Sequence, residues 1–143
     1  MKPYEILEHT ADVGLRVYAT NLEELFTHAG LGLFDLITDV PQLVRREKGN
    51  VLSSVLELRE ANVSDLFLKW LRELLFLFSS KRLVFFRYDF QKLTPTELRA
   101  TAWAKKFDPK RDEQRHEVKA VTYHQFKLEK KEEGWIAEIV FDI

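Results

Sequence analysis

Residues 63–78 read VSDLFLKWLRELLFLF and contain the most informative pattern in the chain. Their apolar periodicity predicts a helix, and Asn62 or Ser64 is suited to cap its first turn. Asp65 follows in that turn, where a negative charge interacts favourably with the helix dipole. The apolar residues cover more than one face. A helix of this kind is central, lies between two layers, or forms part of an interface.

A second helix is predicted to begin at Leu22 and to reach Ile37. Asn21 precedes it and Glu24 follows three residues later, which is a plausible capping arrangement. Its apolar residues recur at spacings of three and four and therefore share one face. They are Leu22, Leu25, Phe26, Ala29, Leu33, Leu36 and Ile37.

Strand patterns surround the two helices. The predicted strands are Tyr4–Glu8, Leu15–Ala19, Val51–Glu60, Leu83–Phe90, Glu97–Trp103, Val118–Leu128 and Trp135–Asp142. Asp39–Asn50 and Lys106–Glu117 each combine proline with charges and are predicted to be loops. The order β-β-α-β-α-β-β-β-β predicts an α+β fold, with two helices packed on a mostly antiparallel β-sheet in a single domain over residues 1–143.

The composition excludes several classes of protein. Lys plus Arg total 22 and Asp plus Glu total 23, so the clear positive excess of a strongly basic nucleic-acid-binding domain is absent. The chain has no cysteine, which excludes disulfides and thiolate zinc sites. The most apolar stretch, Leu66–Phe78, is too short and too charged to span a bilayer, and no signal-peptide pattern follows the N-terminus. We therefore expect a cytoplasmic protein without a membrane partner.

Familiar nucleotide and zinc motifs are also missing. The sequence has no glycine-rich phosphate loop with a lysine, no dinucleotide fingerprint and no paired-histidine zinc helix. Its five glycines leave little material for such loops. This argues against an autonomous nucleotide-using enzyme.

The first candidate site is the segment HTADVG at residues 9–14, between two predicted strands. His9 and Asp12 fall close together in a turn, which suits a metal or acid–base site. Gly14 permits a backbone bend or the close approach of a ligand. The same residues also suit a turn in which Thr10 and Asp12 form only local hydrogen bonds.

The second candidate site is the segment RHEVKAVTYH at residues 115–124, which includes His116. On a regular strand, Thr122 and His124 would share a face with apolar residues, and burying them without partners would cost roughly 1–3 kcal/mol each. Lys119 would then lie on the opposite face. The alternative is a hydrogen-bonded histidine in the sheet and a solvated lysine.

The third candidate site is the segment Phe141-Asp142-Ile143, where the carboxylate of Asp142 is close to the terminal carboxylate of Ile143. Neighbouring carboxylates repel unless a cation or a basic group joins them. If Asp12 also approached, three oxygen donors would converge, which suits Ca²⁺, Mg²⁺ or Mn²⁺. A frayed acidic end is the alternative.

These segments together resemble the archease family over the whole chain. The matching segments are residues 9–14 (HTADVG), 22–26 (LEELF), 32–35 (GLFD), 70–76 (WLRELLF), 118–124 (VKAVTYH) and 141–143 (FDI). One departure stands out, because Ala104 and Lys105 occupy positions where the family often has a Gly-Glu pair. Any role of that glutamate in a metal or partner site is therefore in doubt here.

The resemblance implies an accessory protein and not a self-sufficient enzyme. Its partner would be an RtcB-type RNA ligase of tRNA splicing and RNA repair, and tRNA would be contacted only through the ligase. The family is thought to speed guanylylation of the ligase with GTP and to allow multiple turnovers. Asp12 and Asp142 would bind a divalent metal, with Ile143 as a further ligand. Lys119 would matter for activation, and His9, His116 and His124 are candidates to act near the metal.

Two other functions remain open from the residues themselves. A stand-alone hydrolase would use a metal held by Asp12, Asp142 and a histidine, with metal-bound water as its nucleophile. A chaperone or RNA-binding modulator would use the apolar helix at residues 63–78, although the near-neutral charge disfavours broad RNA affinity. The oligomeric state is open in every case.

Overall fold

Two long helices lie between two antiparallel β-sheets in the computed structural model, which describes residues 2–46 and 50–143. The elements are β1 (Tyr4–Glu8), β2 (Asp12–Ala19), α1 (Leu22–Ile37), α2 (Val40–Arg46), β3 (Leu52–Arg59), α3 (Val63–Lys81), β4 (Leu83–Leu93), β5 (Glu97–Lys106), β6 (Ala120–Lys131) and β7 (Gly134–Asp142). The described part contains no helix that is both long and apolar enough to cross a bilayer.

Sheet A has the strand order β1-β2-β7-β6, and sheet B has the order β3-β5-β4. Helix α1 packs against β1, β2 and β7 of sheet A and against β4 of sheet B. Helix α3 packs against β6 of sheet A and against all three strands of sheet B. The predicted α+β fold is confirmed, and the helix that is apolar on more than one face lies between two layers, as its pattern allows.

Both long helices begin at the capping residues that the sequence indicates. The Asn21 side chain accepts the Glu24 N–H at 2.9 Å, and the Glu24 carboxylate accepts the Thr20 N–H at 2.8 Å. Asn62, and not Ser64, caps α3 by accepting the Asp65 N–H at 2.9 Å. Each cap satisfies an N–H group that has no partner within its helix.

The core joins the helices through their largest side chains. Trp70 of α3 is fully buried, and its indole N–H donates to the Phe26 carbonyl of α1 at 2.9 Å. The rings of Phe26 and Phe67 meet edge to face at 5.4 Å. Burying a Phe side chain contributes about 1.5–3 kcal/mol, so this contact between α1 and α3 is a major part of the core.

Helix α2 was not predicted, because Pro41 and its charged neighbours suggested a loop. Pro41 lies in the first turn of α2, where a proline removes no helical hydrogen bond. Asp39 accepts the Gln42 N–H at 3.1 Å and so caps that turn. Residues 47–49 of the predicted loop lie outside the described residues.

Two strands of sheet A also differ from their predicted limits. Strand β2 begins at Asp12, three residues before Leu15, because it pairs with β7 along its whole length. Strand β6 begins at Ala120, two residues after Val118. The structure gives three helices and seven strands in the described residues, against the two helices and seven strands predicted.

The predicted alternation of β6 was wrong. Strand β6 advances five residues from Thr122 to Lys127, whereas its partner β7 advances only two residues, from Val140 to Glu138. Gln125 has a left-handed backbone (φ 57°) in this irregular segment. Consequently His124 is exposed and does not share a buried face, whereas Val118 and Val121 enter the core.

Candidate functional site

Asp12 of β2 lies directly opposite Asp142 of β7 at one end of sheet A. Directly opposite residues on antiparallel strands have Cβ atoms about 4.5–5.5 Å apart. The adjacent residues Val13 and Phe141 are fully buried against the helices. Because side chains alternate along a strand, both carboxylates project from the other face of the sheet, towards solvent.

Nothing described in the chain neutralises this carboxylate pair. Among residues 2–46 and 50–143, no Lys, Arg or His forms an ion pair with Asp12 or Asp142. Like charges directly opposite each other on a sheet are destabilising. The pair therefore has the electrostatic character of a cation site, and its oxygen donors suit hard divalent ions.

The donor set fits an open metal site better than an enclosed one. The described residues contain no group of three His, Cys, Asp or Glu side chains that could hold a metal ion. Two carboxylates supply only part of the oxygen ligands that Ca²⁺ or Mg²⁺ requires, and water or another molecule supplies the rest. Ile143 follows Asp142 directly and packs against the core, and it stays a predicted further ligand.

The β1–β2 turn places His9 in the same turn as Asp12. The His9 N–H donates to the Asp12 carbonyl at 3.2 Å, and the His9 side chain is exposed. The backbone does not bend at Gly14, because this residue pairs with both Leu7 of β1 and Val140 of β7. A Cβ atom at Gly14 would lie 3.3 Å from the Leu7 Cβ atom. The missing side chain therefore makes room for Leu7.

Lys119 is adjacent to the carboxylate pair through the backbone. Its N–H donates to the Asp142 carbonyl at 2.8 Å, and the next residue, Ala120, pairs with Asp142. Lys119 lines a cleft together with Ile37 of α1 and Phe78 of α3. Since these helices cover the buried side of sheet A, this cleft and the two carboxylates lie on opposite faces of the sheet end.

The loop over residues 107–119 is held in place by the C-terminal end of α1. The N–H groups of Arg115 and His116 donate to the carbonyls of Ile37 and Leu36 at 2.9 and 3.1 Å. These carbonyls have no partner within the helix, so the loop satisfies groups that would otherwise require water. These hydrogen bonds therefore fix the position of the loop just before Lys119.

Side chains strengthen the same attachment. The Arg115 guanidinium lies 2.5 Å from the Asp35 carboxylate, which also accepts the Tyr4 hydroxyl at 2.8 Å. Burial and the hydrogen bond to Asp35 raise the pKa of Tyr4, which keeps its hydroxyl protonated as a donor. Strand β1, helix α1 and the loop thus meet at Asp35.

The other predicted histidines occupy different positions. The imidazole of His116 lies 3.6 Å from the Glu8 carboxylate and lines the cleft that contains Lys119. His124 lies in the irregular segment of β6, beyond Thr122, whereas the residue of β6 that pairs with Asp142 is Ala120. The structure thus groups Asp12, Asp142 and the His9 turn, groups Lys119 with His116, and separates His124 from both.

Two basic residues occupy positions in the fold that the sequence did not indicate. Arg82 lines the cleft with Lys119. The predicted helix ends at Phe78, whereas α3 continues to Lys81 and places Arg82 at its end. Lys105 is buried and donates to the Val44 carbonyl in the last turn of α2 at 2.6 Å. A positive charge is favourable at a helix C-terminus, so Lys105 fastens α2 to sheet B. No local signal marks it, because α2 itself was not predicted.

Comparisons with known proteins agree with this fold. The model of the Archease protein family (MTH1598/TM1083) matches residues 4–143. Protein archease of Pyrococcus abyssi is 40% identical, and that of Sulfurisphaera tokodaii is 35% identical, each with 100% of both chains covered.

Two solved structures share the fold. The solution structure of Methanobacterium thermoautotrophicum protein 1598 has a TM-score of 0.74 at 27% identity, with 100% of both chains covered. The crystal structure of a Thermotoga maritima archease, described as a possible chaperone, has a TM-score of 0.65 at 24% identity and covers 96% of this chain and 94% of its own. On the family match and the identity to these relatives over the full length, this chain belongs to the archease family.

Proposed function

We propose that the chain is an accessory protein that activates an RtcB-type RNA ligase in tRNA splicing and RNA repair. It promotes guanylylation of the ligase with GTP and allows repeated turnover. A divalent ion bound by Asp12 and Asp142, with the Ile143 carboxylate as a further donor, is needed for this effect. Membership of the archease family and the pairing of Asp12 with Asp142 support the proposal.

The pairing of the two aspartates is the observation that supports the proposal most strongly. These residues are far apart in the sequence, yet they meet in register on neighbouring strands. Their carboxylates face solvent, whereas Val13 and Phe141 beside them are buried. A metal held there remains accessible to a second protein, which can complete its coordination. When bound, the ion supplies positive charge to which a partner's carboxylate or phosphate oxygens are attracted.

Lys119 has a distinct role in this proposal. Its backbone hydrogen bond to Asp142 ties its position to the metal site, and Lys119 also lines the cleft on the other face. A ligase that closes over this end of sheet A meets the metal and the ammonium group together. The ammonium group then attracts phosphate or an acidic side chain of the ligase.

Two observations favour the accessory role over the other functions. The described residues contain no group of three metal-binding side chains, so the chain alone offers few ligands for a hydrolytic metal centre. The description of the Thermotoga maritima protein as a possible chaperone would require an exposed apolar surface in this chain. The apolar residues of α3 are instead mostly buried between the sheets, with Phe76 as an exposed exception.

The test is guanylylation of an RtcB-type ligase with labelled GTP and limiting Mn²⁺, with and without this chain. The wild-type chain should increase both the rate of labelling and the number of turnovers. Asp12→Asn and Asp142→Asn should each abolish this increase, because they remove charge with little change in shape. Asp89→Asn removes one carboxylate from the exposed surface of sheet B and is the matched control.

Two results would contradict different parts of the proposal. Equal labelling with and without the wild-type chain would refute ligase activation. Full activation by both Asp12→Asn and Asp142→Asn would refute the role of the carboxylate site while leaving the partnership intact. A Lys119→Gln chain that binds Mn²⁺ normally but activates poorly would separate the lysine from the metal.

A further inference from the structure

A cleft of about 330 Å³ opens between the ends of α1 and α3 and the loop over residues 107–119. Its apolar floor consists of Ile37, Phe78, Phe107 and Val118, and its polar lining includes Ser79, Arg82, Gln114, His116, Glu117 and Lys119. We call it the Arg82–Lys119 cleft. Its volume falls at the lower end of the range for small-ligand sites.

The two strong cations of the cleft have no acidic partner in the described structure. Neither Arg82 nor Lys119 forms an ion pair among residues 2–46 and 50–143. The Arg82 guanidinium lies over the Phe78 ring, 5.6 Å from its centre. Glu117 is the one acidic residue in the lining, so the charges of Arg82 and Lys119 together exceed it.

The cations differ from the other charged residues at this end of the molecule. Arg115 is paired with Asp35, so its charge is already compensated, and the His116 imidazole lies 3.6 Å from the Glu8 carboxylate. The loop is thus fastened by paired groups, while Arg82 and Lys119 remain available for a ligand.

The backbone holds Arg82 at the cleft. Its N–H donates to the Phe78 carbonyl at 2.8 Å, and its own carbonyl accepts the Phe107 N–H at 2.7 Å. Arg82 has a left-handed backbone (φ 60°) at the end of α3, a position where glycine or asparagine is usual. An arginine at this position bears a conformational cost that glycine avoids, which is expected where the side chain has a use.

The chemistry of the lining points to one class of ligand. Guanidinium and ammonium groups are the usual protein partners of phosphate, and the Ser79 hydroxyl and Gln114 amide add neutral hydrogen-bond donors. Ile37, Phe78 and Phe107 offer contact to an apolar or aromatic part of the same ligand. We propose that the Arg82–Lys119 cleft binds a phosphate ester of about mononucleotide size, either a free nucleotide or the phosphorylated end of an RNA strand.

The test uses the chain alone, so it does not depend on ligase activation. Amide and histidine-ring NMR signals are followed while inorganic pyrophosphate, ATP or a 5′-phosphorylated RNA tetramer is added. EDTA is present so that metal at Asp12 and Asp142 makes no contribution. Signals of Arg82, His116 and Lys119 should shift, and affinity should fall with added salt.

Substitutions then locate the site. Lys119→Gln and Arg82→Asn should each weaken ATP binding about tenfold or more, and asparagine tolerates the left-handed backbone at residue 82. Lys127→Gln makes the same change on an exposed residue of β6 and should bind as the wild type does. Circular dichroism of each variant checks that the fold is intact.

The outcomes divide clearly. Tighter binding of ATP than of the RNA identifies a free nucleotide as the source of the phosphate, and the reverse identifies an RNA end; either result supports the proposal. Equal affinity for pyrophosphate and ATP would overturn the role of the apolar floor. Absence of shifts at Arg82 and Lys119 with every ligand at millimolar concentration, or unchanged binding by Lys119→Gln and Arg82→Asn, would overturn the proposal.

Discussion

Strands β2 and β7 place two very different pairs on the same solvent-facing surface, four residues apart. Arg16 and Glu138 are directly opposite and form an ion pair at 2.6 Å. Asp12 and Asp142 are also directly opposite, but both are acidic. The backbone pairing is continuous between them, so the difference lies in the side chains alone.

The row that contains Arg16 and Glu138, here called the arginine–glutamate row, continues onto the outer strands with balanced charges. Glu5 of β1 is opposite Arg16 and accepts the Tyr18 hydroxyl at 2.5 Å, while Lys127 of β6 is opposite Glu138. Opposite charges on neighbouring strands contribute roughly 0.2–1 kcal/mol, and like charges cost a similar amount. The contrast between this balanced row and the opposed acids of Asp12 and Asp142 supports the proposal that the second row serves binding.

The largest expected difference between the Asp12–Asp142 row and the arginine–glutamate row is in affinity for a metal ion. The double substitution Asp12→Asn, Asp142→Asn should weaken Mn²⁺ binding roughly 100-fold, about 2.7 kcal/mol, because it removes both charged donors. Glu138→Gln removes a carboxylate from the neighbouring row and should leave the affinity unchanged. Isothermal titration calorimetry measures both, and equal losses in the two variants would mean that general surface charge binds the ion.

The second prediction concerns Gly14, which lies between the two rows on β2. Gly14→Val should reduce the free energy of unfolding by about 2 kcal/mol, since a larger side chain would collide with Leu7, whose Cβ atom is already 3.3 Å from a Cβ at this position. Gly14→Ala should cost less. Urea unfolding measures the change, and a Gly14→Val chain as stable as the wild type would show that β1 moves aside freely.

Metal binding should also appear as stability. Free Mn²⁺ at ten times its dissociation constant should raise the free energy of unfolding of the wild type by about 1.4 kcal/mol, because the folded chain binds it and the unfolded chain does not. The Glu138→Gln chain should gain as much, and the double aspartate variant should gain nothing. Thermal scans with Mn²⁺ or EDTA test this; an equal gain in all three chains would contradict it.

In the absence of metal, loss of one carboxylate should change the free energy of unfolding in opposite directions in the two rows. Asp142→Asn should stabilise the chain by about 0.5 kcal/mol, because it ends the repulsion with Asp12. Glu138→Gln should destabilise it by about the same amount, since the side chains of its pair with Arg16 are 27% and 36% exposed and the interaction is partly screened. Both are compared by urea unfolding in EDTA, and a change of the same sign in the two variants would contradict the comparison.

The smallest expected effect is a pH dependence in the arginine–glutamate row. The hydrogen bond from Tyr18 lowers the pKa of Glu5 below its ordinary value. The stabilisation from this contact is therefore present above the unfolded pKa of about 4.3, and it is lost as the pH falls through the lower folded value. Tyr18→Phe should flatten the decline of the melting temperature in this acidic range; an unchanged decline would remove Glu5 as a contributor.

Local sequence was enough to identify the main elements. Helix α1 follows from Asn21, Glu24 and one apolar face, and the apolar residues on several faces of α3 allowed a position between two layers or at an interface. Helix α2 escaped prediction although Asp39 and Pro41 are suitable for a helix start, because the segment is short and its burial depends on sheet B. The irregular segment of β6 also escaped, since alternation assumes one residue for each partner.

The candidate site was predictable in its residues and not in its arrangement. Asp12, Asp142 and Lys119 stand out by residue type and by resemblance to a family. The sequence could not place Lys119 in the cleft at the ends of α1 and α3, nor bring Arg82 to the same cleft. Those positions depend on the loop over residues 107–119 and its hydrogen bonds to Ile37 and Leu36.

The sequence by itself determined the two long helices with their caps, the seven strands, and the oxygen-bearing side chains at residues 12 and 142. Only the tertiary structure decided that β2 pairs with β7 in the register that sets these donors opposite each other. A shift of one residue would turn one strand's side chains to the other face and separate the carboxylates. Register depends on the packing of Val13, Leu15, Ile139 and Phe141 against the helices, which involves contacts between residues far apart in the chain.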